Sequence, residues 1–297
     1  SLDGKTVIRA GWGLFYGPIA YDPGQTGFSQ QTSSVLYDAN YLPINLIDNP
    51  FPTGLLPAVG AKNGLATNVG TGITFVDPHA REPRSQQFSF DVQREVPFSM
   101  LLTAGYVYNG MSRIGVDRNL NALTVDQLAL GASVLNNRVT NPFAGLAPGF
   151  NLNQSTITYS SLIVPYPQFT SVTQKWMPVG DSAYHGLQFQ VSKRFSHGVS
   201  YSVGYTISKH MSRLGYQYSS DANLEKLIDI YDVPQLFTLN ASWELPFGKG
   251  KLIGNSMPTA LNYVFGGWKL NGMIKLQRGM PYQLNANAIP LSGVDRN

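Results

Sequence analysis

The chain has no cysteine. That excludes a disulfide framework and thiolate metal sites, and leaves an oxidising compartment permitted. Charge is scarce as well. Asp, Glu, Lys and Arg make up 13% of the residues, about half of the roughly 25% usual in soluble proteins. This is a thin supply for a water-facing surface on a chain of 297 residues. The net charge of +4 comes with no basic cluster. Lys249-Gly250-Lys251 lies among turn residues, so no nucleic-acid partner is expected. The apolar fraction of 43% is ordinary, which argues against disorder. No apolar run reaches the roughly 18 residues that a transmembrane helix needs.

Signatures of bond chemistry are equally sparse. Only four histidines occur, and none stands at HExxH spacing. "GWGLFYG" lacks the glycine spacing of a dinucleotide fingerprint, and "FGKGKLIG" lacks the phosphate-loop pattern. No GxSxG elbow is present. No enzyme activity, metal or cofactor is expected. His197 falls in a short turn, and His185 is read on the polar face of a strand, both in structural or solvated roles. Asp229 and Asp232 stand three apart before a proline. They could hold a cation, but a solvated loop edge is the preferred reading.

What is abundant is alternation. In "GLQFQVSKRFSHGVSYSVGYTIS" (186–208), Leu187, Phe189 and Val191 share one face, and Gln188, Gln190 and Ser192 share the other. Val199, Tyr201, Val203, Tyr205 and Ile207 likewise oppose small polar residues. Successive strand side chains point to opposite faces, so each strand has an apolar face and a polar one. The same pattern marks 5–16, 85–96, 100–109, 235–245 and 267–278, and an eighth strand is read from Pro281. Several of these match the roughly 9–11 residues with which a tilted strand crosses a bilayer.

The connections sort by length. Only Pro97-Phe98-Ser99 and Ser196-His197-Gly198 separate two of the strand pairs. Long stretches, about 17–83, 110–182 and 210–233, separate the others. In an up-and-down sheet the long loops then emerge at one end, as in outer-membrane barrels. Aromatic residues gather near both strand ends, as at two membrane interfaces. The fold expected is all-β: an antiparallel up-and-down transmembrane β-barrel, with seven or eight strands of a larger barrel in residues 1–297. A short helix is read in 123–137, with Thr124 as N-cap and Gln127 three residues on.

Lys5, Arg9, Asp91, Gln93, Glu95, Glu244 and Lys275 project to the polar face, either lining a hydrated lumen or solvating one side of a sheet. Tyr21, Tyr37, Tyr41, Tyr166 and Trp176 are loop aromatics, placed for ligand contact or for internal loop packing.

Several segments resemble the C-terminal barrel region of Oar-like TonB-dependent outer-membrane receptors. They include "KTVIRAGWGLFYGP", "DPHAREPRSQQFSFDVQREVPFSMLLTAGYVYNG", "VPYPQFTSV", "YDVPQLFTLNASWELPFGKGK" and "GGWKLNGMIKLQRGMPY". The resemblance implies a barrel of about 22 strands, plugged by a separate domain and energised through the TonB complex. This chain shows no plug and no TonB-box peptide, so it is read as part of the barrel wall. The resemblance further implies a bacterial outer-membrane location, lipid as a neighbour, and loops that recognise an unidentified glycan or peptide before it passes through a polar lumen. Rival readings are a surface adhesin without transport and a soluble glycan-binding β-sandwich.

Overall fold

A computed structural model describes residues 4–18, 32–45, 47–146 and 151–282. Along the chain run β1 (Thr6–Tyr16), β2 (Gly72–Val76), β3 (Arg84–Val96) and β4 (Met100–Asn119). Short elements follow: α1 (Val125–Leu128), α2 (Ala132–Leu135), β5 (Arg138–Thr140), β6 (Thr156–Thr158) and α3 (Tyr159–Leu162). Then come β7 (Ser171–Ser196), β8 (Val199–Arg213), β9 (Leu227–Ile228), β10 (Gln235–Glu244), α4 (Thr259–Phe265) and β11 (Lys269–Gln277). The main sheet has the order β1-β3-β4-β7-β8-β10-β11, and every pair along this path is antiparallel. It is an up-and-down meander, because each neighbour in space is the next long strand in sequence.

The registers carry the alternation across the whole sheet. Ile8 faces Val92, which faces Ala104, and the row continues through Phe189, Tyr205 and Phe237 to Leu276. One position along lies a mostly polar row: Val7, Gln93, Thr103, Gln190, Gly204, Thr238 and Lys275. A one-residue slip in any pair would turn that strand's apolar set to the other side, so the apolar pattern fixes the register.

Two tight turns close the short-loop end. His197 and Gly198 both have positive φ, 53° and 79°. That is the conformation a two-residue type I′ hairpin requires, and its twist matches the flanking strands. The third short connection is longer than a turn and contains α4.

The apolar face of this sheet is bare. Trp12 is 69% exposed and Leu276 61%. Among the described residues the buried apolar ones are Val116, Leu135, Leu152 and Val172, which all lie at the long-loop end, Val116 and Val172 in the extended ends of β4 and β7. A soluble sandwich would cover the apolar face with a second layer. Among the described residues none is laid over it. No described helix is long and apolar enough to cross a membrane.

Three expectations are corrected. The third strand does not end at Asn109 and the fourth does not begin at Gly186, because β4 and β7 stay paired out to Asn119 and Thr173. Residues 110–119 and 171–182 are therefore strand and not loop. Pro281 and Tyr282 are not in a strand, and the residues after them lie outside those described. His185 is on the apolar face, facing Tyr108 and Lys209. Its polarity is accommodated there because the Tyr106 hydroxyl lies 2.7 Å from Nδ1 and the Tyr108 ring 5.0 Å from the imidazole.

A candidate recognition cap and a polar wall

The upper halves of β4 and β7 form a stalk. Its register shifts between Ser112 and Arg118, and such bulges bend and twist a strand pair. Trp176 sits at this distortion with φ 64°. Its ring lies over Gly115, where an added Cβ would come within 2.6 Å of a ring carbon. Trp176 is thus a half-buried strand residue and not a loop residue.

On this stalk the three long loops interlock. From the first loop, β2 pairs parallel with the start of β7, Gly72 opposite Ser171 and Val76 opposite Lys175. The Thr170 N–H donates to the Thr71 carbonyl at 3.0 Å and the Gly70 N–H to that of Gln168 at 2.8 Å. Within the second loop, buried Asn121 donates to the Tyr166 and Phe169 carbonyls and accepts from the Tyr166 N–H. Buried Asn141 does the same work below it, donating to Leu152 and Gln154 and accepting from Phe143. The expected N-cap is present: Thr124 and Gln127 form a reciprocal capping box at α1. From the third loop, the Ser219 and Asp221 carbonyls accept from the Arg118 guanidinium, whose carbon lies 4.7 Å from the Tyr216 ring centroid.

The third loop is also stitched to β8. Asp232 is 1% exposed, and its Oδ1 accepts the His210 N–H at 2.7 Å. Asp229 is buried too, 3.4 Å from His210 Nδ1, and accepts the Tyr231 N–H. The solvated-edge reading of these two aspartates is overturned, since both are needed inside to satisfy backbone donors of the returning chain. Among the described residues no group of three or more His, Asp or Glu is placed to hold a metal ion. Nearby, Asp181 and Arg213 form a bidentate pair. The Asp181 carboxylate raises the Arg213 pKa above its ordinary value, by hydrogen bonding first and Coulomb attraction second.

Within the second loop lies a cleft of about 390 Å³, with Gly70 of the first loop at its edge. Its walls carry Phe169, Pro167, Leu152 and Ile157, with Ser160, Ser161 and Thr170 between them and no charged side chain. That volume is within the range of small-ligand sites. Tyr166 backs this region, held by Asn121 on both its N–H and its carbonyl. Tyr37 and Tyr41 are exposed on a separate turn of the first loop, where Asp38 accepts from the Asn40 and Leu42 N–H groups. Tyr21 lies outside the described residues.

Six of the seven polar-face candidates share one face by register, and Lys5 lies just ahead of β1. Arg9 faces Asp91 with a charge separation of 3.8 Å. Gln93 is one step along the same strand, opposite Thr103. Nearer the short turns, the Lys5 carbonyl accepts the Glu95 N–H, and the Glu95 side chain lies 3.6 Å from Arg194. Glu244 binds Lys251 at 2.6 Å, and Lys275 stands opposite Thr238. With Gln188, Gln190, Thr206 and Asn240 beside them, these residues make a polar wall of amides, hydroxyls and charges.

A sheet with one bare apolar face, one polar face and its loops sorted to one end matches a known family. A family model described as outer membrane beta barrel domain covers residues 1–296. The chain belongs to that family. The protein is therefore an outer-membrane β-barrel domain, its apolar rows face lipid, and its place is the bacterial outer membrane. No curated protein matches the chain. In such a barrel the short turns are periplasmic and the cap is extracellular.

Sequence reasoning missed Arg118 and Asn121, and misread Asp232 as a solvated edge. Each is a polar residue inside a segment taken for loop, and its partners lie 45 or more residues away or on a returning strand. The Asn-Pro pair at Asn141 was the one local hint, because it favours turn initiation.

Proposed function

We propose that this barrel wall belongs to a TonB-dependent receptor, in which the cap recognises a ligand that then passes along the polar face. The plug and the energy-coupling element would come from sequence outside these residues. The observation that supports this most is the interlocking of all three long loops over one end of the sheet, with a neutral cleft in the second of them. The cleft's hydroxyls and apolar walls suit an uncharged ligand, a glycan or a neutral peptide. The action is binding and gating, not bond chemistry.

Filling the cleft tests the proposal. Cells carrying the wild-type chain or Ser160→Trp are offered a pool of neutral oligosaccharides and a pool of peptides, with and without a proton-motive-force uncoupler, and accumulation is read by mass spectrometry. Uptake that needs both an open cleft and an energised membrane supports the receptor. Uptake indifferent to the uncoupler removes TonB coupling. Loss of cell attachment with unchanged uptake makes the cap an adhesin.

A further inference from the structure

The periplasmic connection between β10 and β11 has its polarity inside out. Leu252 to Trp268 carries no charged side chain, whereas Lys249, Lys251 and Lys269 flank it. Within α4 the residue turned toward the protein is polar. Asn262 Oδ1 accepts the Lys249 N–H at 2.7 Å. The Asn262 amide sits against Gly248 and Gly266, where an added Cβ would lie 2.8 Å and 2.3 Å from Oδ1. The residues turned outward are Leu261, Tyr263, Val264 and Phe265, all exposed, Tyr263 by 85%. A helix in water buries its apolar side and wets its polar one. Here the sequence spends its single well-placed polar side chain on fixing the helix and leaves the apolar side bare.

The lipid-facing surface runs into this helix without a break. The ladder of β10 and β11 continues one step to Trp268, whose carbonyl accepts the Leu245 N–H at 2.8 Å. Trp268 therefore shares the face of Leu270, Ile274 and Leu276, the outward rows of β11. Its indole Nε1 donates to the Val264 carbonyl at 2.7 Å, tying α4 to that face. Trp243, opposite Leu270, extends the same belt.

We propose that α4 is an interfacial anchor. It lies in the headgroup and acyl boundary of the periplasmic leaflet, with lipid covering Leu261, Tyr263, Val264 and Phe265. The flanking lysines stand at the level of lipid phosphates. Aromatic residues at a membrane interface and helices laid flat in it follow the same physics: an apolar body seeks the acyl region while polar groups stay with the headgroups.

The absence of native cysteine makes a labelling test clean. Tyr263→Cys and, separately, Leu261→Cys carry an environment-sensitive fluorophore in outer-membrane vesicles, with folding checked by heat-modifiable migration. Ile274→Cys marks lipid and Lys62→Cys marks water. At an interfacial depth of about 5–10 Å, a nitroxide high on the lipid acyl chain should quench α4 labels about twofold more than one at the chain end. Iodide should quench them several-fold less than the label at position 62. Iodide quenching equal to that at position 62 at both sites would overturn the anchor and return α4 to the periplasm. Protection from iodide and from both nitroxides would also overturn it, and would put protein over the helix in place of lipid.

Discussion

Arg118 and Ser219 are 101 residues apart in sequence, yet the Arg118 Nε donates to the Ser219 carbonyl at 2.7 Å. A second donor of the same guanidinium reaches the Asp221 carbonyl at 2.7 Å. One side chain on the stalk thus holds the third loop by its backbone. Arg118→Ala should free residues 215–226 while leaving the sheet intact. Charge-assisted hydrogen bonds contribute roughly 1.5–3 kcal/mol each, so amide exchange in that segment should accelerate on the order of tenfold or more. Arg118→Lys keeps the charge without the fork and should restore only part of the protection. Unchanged exchange would show that the loop is held elsewhere.

Asp232 secures the other side of that loop. Asp232→Ala leaves the His210 N–H unpaired in a buried setting, at a cost of about 1–3 kcal/mol. Asp232→Asn keeps an acceptor for the same N–H and should cost less. Limited proteolysis between residues 214 and 234 separates the two variants. Equal cleavage would mean the charge, and not the hydrogen bond, is what matters.

Asn121 gathers three backbone groups of the second loop. Asn121→Ala should destabilise the cap by about 1–3 kcal/mol for the groups left unsatisfied. The cleft wall around Tyr166 and Phe169 should then admit protease, with the melting of the barrel in lipid unchanged.

The two faces of β7 make opposite predictions at adjacent positions. Phe189 is on the lipid side and Gln190 on the polar side. Phe189→Arg should cost about 2–4 kcal/mol, the penalty for a guanidinium near the bilayer midplane. Gln190→Arg should be close to neutral. Reversible unfolding in lipid vesicles measures both, and equal costs would mean the face assignment is wrong.

Much of the sheet was legible because its signal is local. Leu187, Phe189 and Val191 declare their face by a period of two, which needs no knowledge of the neighbouring strand. Seven segments with the same pattern, joined by alternately short and long connections, leave an up-and-down sheet with its loops at one end. The polar-face set from Arg9 to Lys275 follows from the same parity. Even His185 could have been placed by parity with Leu187, and only its polarity argued otherwise.

The sequence by itself determined which side of each strand is apolar, because the period-two pattern fixes parity and, with it, register. Only the tertiary structure decided how the loops are used. The parallel pairing of Gly72–Val76 with Ser171–Lys175 joins segments about a hundred residues apart, and loop closure over that distance leaves no local trace. Bulges between Ser112 and Arg118 break the alternation, so the stalk reads as loop. Asp232 and Asn121 look like surface residues until the backbone groups they satisfy are brought beside them.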